Sequence, residues 1–387
     1  MKRESKKESR GDQLTANGRG LASRLSEVFS RKRILTTAKS RVAEDLQVDL
    51  SPPSIKTAFV FSGCGGKGSA QIGMLGALFE AGIVPDFIVG VSAGALNGAV
   101  FAQDPGVKGI RTLDHLWRTM RKENIFSKSR FATPIKYAQK VESVFPSGPL
   151  RTLIDEELEI RDLSLTKIPL YVLACDYHSG EEHWFSEGPP DMALYASAAL
   201  PGVLPPLEVD GVHLIDGGVV NNFPISKAIE LGANRIYVLL CASMDTALPE
   251  PKRPLEAIIR TFHLTKMARF KFELANLPPG VEVSVLECPA AEGLETLDFT
   301  HADLLIEAGY LSACETLGIE PSESQPWITK EEVEAEPTRS LRSYRATLEG
   351  AIPAGTIASL VRNTKSPRRR YHRPLIGEHS DLIEEEI

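Results

Sequence analysis

Short apolar runs alternate with helical patterns along much of the chain. Buried strands are predicted where unbroken apolar runs end at turn-forming residues, at 58–61, 87–89, 169–175, 235–241 and 281–286. Amphipathic or small-residue patterns between them predict helices at 69–81, 93–99, 106–123, 192–199, 225–231, 254–276 and 301–317. The alternation of strands and helices predicts an α/β fold, a mostly parallel sheet with helices on both faces.

Two predicted hairpins interrupt this alternation. Residues 182–185 follow a turn at His178-Ser179-Gly180, and Asp210-Gly211 joins the short strands 207–209 and 213–215. His178 and His183 flank the first turn. They are interpreted as exposed polar residues of a hairpin, and a metal site made by the two is the alternative. Residues 124–149 lack clear periodicity. They could form an irregular segment or a flap near an active site, and the sequence does not distinguish the two.

The periodic patterns are confined to residues 54–320, which we interpret as one domain. Residues 1–53 are polar and end at Ser51-Pro52-Pro53, so they are expected to form a disordered tail. Beyond Gly318 the pattern fades, and 321–387 is expected to be a second tail of low order. Residues 1–41 hold 12 Lys/Arg against 4 Asp/Glu, so this tail is basic although the whole chain carries −7.

Composition excludes several classes of protein. With 42% apolar and 25% charged residues among 387, the chain is typical of a globular protein. It contains no run of about 18 apolar residues, so no transmembrane helix is expected. Its charged start predicts no Sec-type signal peptide. The five cysteines are odd in number and form no C-x-x-C pair, which favours reduced thiols in the cytoplasm. Neither a metal ion nor another cofactor is expected.

A glycine-rich loop follows the first predicted strand. Its backbone can take conformations that a Cβ forbids, and its members are Gly63, Cys64, Gly65, Gly66, Lys67 and Gly68. The glycine spacing also matches a dinucleotide fingerprint, which requires an acidic residue at the end of the second strand. Here Asp86 precedes that strand instead. The better interpretation is an oxyanion hole, a set of N–H groups that binds the oxyanion of a tetrahedral intermediate.

The second predicted strand turns into a helix through Gly90-Val91-Ser92-Ala93-Gly94. This G-x-S-x-G pattern is typical of a nucleophile elbow, in which the serine lies on a tight bend and Gly90 and Gly94 relieve crowding. The bend puts Ser92 Oγ at a helix N-terminus, where backbone N–H groups favour negative charge. A purely structural turn is the alternative, because short glycine patterns also arise by chance.

A third motif, Asp216-Gly217-Gly218, ends the second hairpin. An aspartate at the end of a strand, followed by two glycines, can bring its carboxylate close to a neighbouring loop. An aspartate that only caps a bend is the alternative.

These three motifs, in this order, resemble those of the patatin-like phospholipases, as does the stretch from Ala196 to Pro201. The similarity spans residues 55–245 and extends weakly toward 317. It implies a three-layer α/β/α patatin-like fold with a catalytic domain at 54–320. It also implies a serine–aspartate dyad that hydrolyses acyl esters of lipids or phospholipids. Ser92 would be the nucleophile, Asp216 its base and 63–68 the oxyanion hole. The family usually has glycine where this chain has Cys64.

Two other functions remain open. A Ser-His-Asp esterase would use His263 or His301, which follow Asp216 in the required order but fall in helical patterns. A non-catalytic module that binds a lipid or a nucleotide could keep the same frame.

A lipid ester is the expected substrate, and the basic tail is the expected route to it. If 21–35 is helical, five apolar residues, Leu25 and Phe29 among them, share one sector of its wheel. A basic amphipathic helix can lie in the headgroup region of an anionic membrane. We therefore expect a cytoplasmic protein with no nucleic-acid partner. Peripheral membrane contact through this tail and a disordered tail with chance periodicity are the two alternatives.

Overall fold

The computed structural model describes residues 54–121, 125, 143, 145–244, 254–322, 324–325, 327–328 and 370–372. Its strands are β1 (Thr57–Phe61), β2 (Phe87–Val91), β3 (Leu170–Asp176), β4 (Glu182–Phe185), β5 (Leu207–Val209), β6 (Val212–Asp216), β7 (Arg235–Leu240), β8 (Glu282–Glu287) and β9 (Arg370–His372). Its α-helices are α1 (Ala70–Glu80), α2 (Ala93–Gln103), α3 (Val107–Thr119), α4 (Gly148–Glu157), α5 (Pro190–Ala198), α6 (Ile225–Glu230), α7 (Pro254–Ala275) and α8 (Ala302–Leu317).

These strands form one sheet in the order β5-β6-β3-β2-β1-β7-β8-β9, and β4 pairs with β3 beside this path. The five central strands, β3, β2, β1, β7 and β8, are parallel to one another. Antiparallel pairs are confined to the margins, where β4 and β6 join β3, β5 joins β6 and β9 joins β8. The predicted mostly parallel sheet is thereby confirmed.

The side chains of β1 show how the layers are built. Phe59 and Phe61 enter a core that also contains residues of α1, α2, α3 and α8. Ala58 and Val60 enter a second core with residues of α6 and α7. Because successive side chains of a strand point to opposite faces, the sheet lies between two helical layers. The three-layer α/β/α architecture is confirmed.

The topology brings the three motifs to one edge. Loop 62–69 follows β1 and Ser92 follows β2, and parallel neighbours have their carboxyl ends at the same edge, where ligands bind in open α/β sheets. In the antiparallel pairing of β6 with β3, Asp216 lies opposite Ala174, while Val91 lies opposite Leu173. Asp216 therefore ends its strand close to the serine turn.

Several elements differ in extent from their prediction. The helix predicted at 69–81 begins as a 3-10 helix at Gly65–Ser69 and continues as α1. The helix predicted at 106–123 ends at Thr119 because Met120 is extended. Helix α4 was not predicted. Most of 124–149 lies outside the described residues, and so does all of 1–53, including the segment 21–35.

Beyond residue 320, two described segments contact the same folded unit. Trp327 is fully buried in the core shared by α1 and α8, and β9 pairs with β8. No helix in the described ranges is both long enough and apolar enough to cross a membrane.

Candidate active site

The turn between β2 and α2 holds Ser92 in an uncommon backbone conformation. Its φ of 54° and ψ of −129° lie in a region that side-chain-bearing residues rarely adopt. Gly94 allows the turn to approach β1, since a Cβ there would lie 2.4 Å from Phe61 O. Ser92 N–H donates to Ser197 Oγ at 2.8 Å, and Ser197 Oγ–H donates to Leu173 O at 2.6 Å. The strained turn is thus tied to α5 and β3.

The Ser92 side chain is hydrogen-bonded to Asp216. Ser92 Oγ donates to Asp216 Oδ2 at 2.7 Å, and Gly218 N–H donates to Asp216 Oδ1 at 2.7 Å. Ser92 is partly exposed, whereas Asp216 is 5% exposed. Burial raises the pKa of Asp216, while the Lys266 ammonium and these two hydrogen bonds oppose the rise. The carboxylate is therefore a stronger base than an exposed aspartate.

The glycine loop lies directly against the serine. A Cβ on Gly63 would lie 3.3 Å from Ser92 Cβ. Within the described ranges, the N–H groups of Gly63, Cys64 and Gly65 donate to no protein acceptor. Gly66 N–H donates to Thr296 O at 2.7 Å, and Lys67 N–H donates to Cys64 O at 3.3 Å. Of the six loop residues in the predicted oxyanion hole, the first three hold the donors that remain open to a ligand.

Cys64 fits this loop without backbone strain. Its φ is −150°, a value that residues with a Cβ adopt readily. The next residue, Gly65, has φ +57° and would bring a Cβ within 2.4 Å of Thr296 O. The loop therefore requires glycine at position 65 and tolerates cysteine at 64.

A buried polar network supports the loop from below. Trp117 Nε1–H donates to Asn97 Oδ1 at 2.8 Å, and Asn97 Nδ2 donates to Gly68 O at 3.0 Å and to Gln71 Oε1 at 2.9 Å. Gln71 Nε2 in turn donates to Ser62 O at 2.9 Å. Each amide group of this network has its partners, so the loop is fixed at both of its ends.

Sequence reasoning missed three residues of this site: Ser197, Asn222 and Lys266. Ser197 stands in the 196–201 stretch, but no role followed from its type. Asn222 Nδ2 donates to Gly63 O at 2.9 Å, and Lys266 Nζ lies 3.4 Å from Asn222 Oδ1. Asn222 lies six residues after Asp216, so proximity to a motif was its only signal. Lys266 carried none, because it belongs to a helix far along the chain.

The histidines of the described segments do not join the serine. Ser92 Oγ has Asp216 as its side-chain partner, and His301 Nε2 lies 3.2 Å from Asp298 Oδ2. Burial, with Lys67, Lys266 and Arg260, lowers the pKa of His263. His178 is exposed, and its ring contacts those of Tyr177 and His213. Among the described residues no group of three metal-binding side chains exists.

A cleft of about 300 Å³ opens beside Asn222. Its lining combines apolar, polar and cationic side chains, and it consists of Val219, Val220, Asn222, Thr261, Phe262, Thr265, Lys266 and Arg269. Phe262 is 52% exposed and Val219 is 38% exposed. The cleft is suited to a molecule with apolar and polar parts.

Fold and site together define an α/β protein with a glycine loop, a serine elbow and a buried aspartate at the carboxyl edge of its sheet. Residues 59–229 match the model of the family described as patatin-like phospholipase. Over this range the chain is similar to the patatin-like phospholipases.

Curated relatives extend the match. A 277-residue alignment with patatin-like phospholipase domain-containing protein 7 of Rattus norvegicus is 27% identical and covers 65% of this chain and 20% of that protein. Neuropathy target esterase sws of Drosophila melanogaster is 30% identical over 59% of this chain and 17% of its own length. An uncharacterized NTE family protein of Mycobacterium bovis is 29% identical over 56% of each chain. The chain thus spans about a fifth of the length of the first two relatives.

Among solved structures, VipD from Legionella pneumophila matches 81% of this chain and 76% of its own at 14% identity, with a TM-score of 0.37. At that score the superposition adds nothing to the fold, which is defined by the sheet and its two helical layers.

Proposed function

We propose that this chain is a lipid acyl hydrolase that cleaves carboxylic ester bonds with Ser92 as nucleophile and Asp216 as base. The observation that carries the proposal is the 2.7 Å hydrogen bond from Ser92 Oγ to Asp216 Oδ2. The match of residues 59–229 to the patatin-like phospholipase model supports lipid hydrolysis. The partly apolar cleft beside Asn222 supports a substrate with a hydrocarbon portion.

In the acylation step, Ser92 Oγ attacks the ester carbonyl carbon as its proton passes to Asp216. Negative charge moves to the former carbonyl oxygen. The open N–H groups of Gly63, Cys64 and Gly65 bind this oxyanion, with help from the N-terminus of α2. One such donor is typically worth about 3 kcal/mol of transition-state stabilisation. Asp216 then returns the proton to the departing alcohol.

In the deacylation step, water attacks the acyl-serine as Asp216 takes a proton from it. The acyl C–Oγ bond then breaks, the carboxylic acid departs, and Asp216 returns the proton to Ser92 Oγ. A carboxylate is a weak base at neutral pH, where its unperturbed pKa is near 4. Burial raises the pKa of Asp216 and so brings its basicity closer to working pH. The dyad therefore depends on burial as well as on position.

The structure favours this dyad over a triad. A Ser-His-Asp mechanism requires an imidazole hydrogen-bonded to the nucleophile, and Ser92 is instead bonded to a carboxylate. A non-catalytic module is the other alternative, and activity measurements separate it from the enzyme.

The test compares hydrolysis of a soluble short-chain ester, and labelling by a fluorophosphonate, in wild type and variants. Ser92→Ala is expected to abolish both, because each reaction requires the activated hydroxyl. Asp216→Asn is expected to lower kcat by about 10²- to 10⁴-fold, the usual contribution of a positioned general base. Incubation with mixed lipids, followed by analysis of released fatty acids, identifies the ester class.

His263→Ala and His301→Ala are the matched controls and are expected to keep most of the activity. A histidine variant as inactive as Ser92→Ala would establish the triad instead. Persistent fluorophosphonate labelling of Ser92→Ala would refute the nucleophile. A wild type that binds lipid vesicles but neither labels nor hydrolyses would support the non-catalytic module.

We also propose that the basic segment 1–50 delivers the enzyme to anionic membranes, since it combines an excess of Lys and Arg with apolar residues at helical spacing. Deletion of residues 1–50 is expected to weaken sedimentation with anionic vesicles at low salt while sparing hydrolysis of a soluble ester. Equal sedimentation of both proteins would contradict this role.

A further inference from the structure

Lys266 approaches the dyad from a helix that carries none of the sequence motifs. Its Nζ lies 3.4 Å from Asn222 Oδ1, and a Cβ built on Gly218 would be 3.3 Å from the same Nζ. Gly218 is also the residue whose N–H donates to Asp216 Oδ1. The ammonium group therefore lies beside the loop that holds the base.

Asn222 connects this ammonium group to the oxyanion loop. Its Oδ1 accepts from Lys266 Nζ, and its Nδ2 donates to Gly63 O at 2.9 Å. If the Asn222 amide were turned over, its NH₂ group would face the Lys266 ammonium and its oxygen would face the Gly63 carbonyl. Both contacts would then be repulsive, so they favour the observed orientation. Lys266, Asn222 and Gly63 form a chain of contacts from α7 to the loop against Ser92.

Lys266 interacts with the Asp216 charge without a direct salt bridge. In the described part of the chain no carboxylate forms a salt bridge with it, whereas Arg269, one turn further along α7, pairs with both Glu182 and Glu273. Burial lowers the pKa of Lys266, and the Asp216 carboxylate is the main group that opposes this. The lysine and the aspartate thus favour each other's charged state.

Other titratable groups face the pair from the surrounding elements. Cys175 on β3 is near Asp216, and burial raises the pKa of its thiol. Cys64 on the glycine loop faces Lys266. His263 on α7 and Lys67 on the loop complete the set. Of these cations, Lys266 is the one that opposes the rise in the pKa of Asp216.

We propose that Lys266 is a positioning residue that keeps the Asp216 carboxylate ionised and, through Asn222, holds the aspartate loop against the oxyanion loop. The catalytic part of this inference rests on the proposed function. The charge coupling between the two side chains does not, because it is measurable without any substrate.

The first experiment measures kcat/KM for a soluble ester against pH in wild type, Lys266→Met and Lys266→Arg. Lys271→Met, an exposed lysine on the same helix, is the control. Loss of the cation in Lys266→Met is expected to move the acid limb upward by about one to three pH units, the usual effect of a nearby opposite charge on a carboxyl group. Activity should fall most at low pH and recover as the pH rises. Lys266→Arg should restore the acid limb, and Lys271→Met should match wild type.

The second experiment follows the ¹³C carboxyl signal of Asp216, assigned by its loss in Asp216→Asn, across a pH titration. The Lys266→Met titration midpoint is expected to lie above that of wild type by the same amount. Lower activity with an unchanged acid limb and an unchanged titration would show a merely structural lysine and overturn the proposal. Wild-type activity and titration in Lys266→Met would overturn it as well. A shifted titration in a protein that hydrolyses no ester would uphold the coupling and contradict the proposed function instead.

Discussion

At the scale of the single residue, Ser92 is held in a conformation that its Cβ disfavours. Such conformations cost about 1–3 kcal/mol each and persist only where the surroundings impose them. Here the surroundings are the Ser197 bond to Ser92 N–H and the close approach of Gly94 to β1. The same bend aims Oγ at Asp216, so the strain and the position of the hydroxyl have one cause.

We expect Ser92→Gly to be more stable than Ser92→Ala by about 1 kcal/mol in its free energy of unfolding, because glycine adopts positive φ without a Cβ penalty. Urea unfolding of the two inactive variants measures the difference directly. The control pair is Ser226→Gly and Ser226→Ala on α6, an exposed position in a helix. There alanine should be the more stable residue. Equal stability of Ser92→Gly and Ser92→Ala would show that the turn is relaxed.

Sequence reasoning found the residues whose chemistry is carried by a local motif. Ser92, the loop 63–68 and Asp216 each stand in a short glycine pattern, because tight turns leave a signature in consecutive residues. Lys266 could not be found in this way, since an exposed-type residue on an amphipathic helix looks the same whether it faces water or an aspartate. Only the packing of α7 on the sheet brings it to the site.

At the scale of the element, the strands were predicted most closely because a buried parallel strand is a short, unbroken apolar run. Helix limits were less well predicted. Nothing in a glycine-rich sequence distinguishes a loop from a 3-10 turn, so the first turn at Gly65–Ser69 was missed. Helix α4 begins in a stretch with no clear periodicity, and its two buried residues, Leu150 and Ile154, give too short a pattern.

The contact between α1 and α8 is completed by a side chain from beyond residue 320. The Trp327 ring lies where a Cβ on Gly76 would come within 2.4 Å of it, and its ring centroid is 5.4 Å from that of Tyr310. Glycine at 76 thus lets the indole rest on the backbone of α1. The Trp327 segment therefore contributes to the packing of the helical layer that contains α1 and α8.

We expect Trp327→Ala to lower the free energy of unfolding by about 3–5 kcal/mol, the usual cost of removing a buried aromatic side chain. Thermal and urea unfolding of the full chain measure this. Phe272→Ala is the control, because Phe272 is 69% exposed and its loss should change stability little. Equal unfolding midpoints for Trp327→Ala and wild type would show that the segment adds nothing to the fold.

At the scale of the whole molecule, the sequence predicts a mostly parallel sheet but not the order of its strands. Strand–helix alternation specifies parallel neighbours, and both helical layers follow from it. It does not specify that β6 joins the sheet antiparallel to β3 and so delivers Asp216 to Ser92. That pairing joins residues about 40 positions apart in sequence, and the apolar pattern of a short hairpin contains no information about its distant partner.

The order of the sheet also has a consequence for the synthesis of the protein. Strand β1 is the first strand of the folded unit to be made, yet it lies between β2 and β7. At about 5–20 residues per second, roughly 10 to 35 s separate the emergence of β1 from that of β7. During this interval one edge of a strongly apolar strand has no partner on the growing chain. Until residue 240 has emerged, the β7 edge of β1 stays open to other partners, and the serine meets its aspartate only after residue 216 is made.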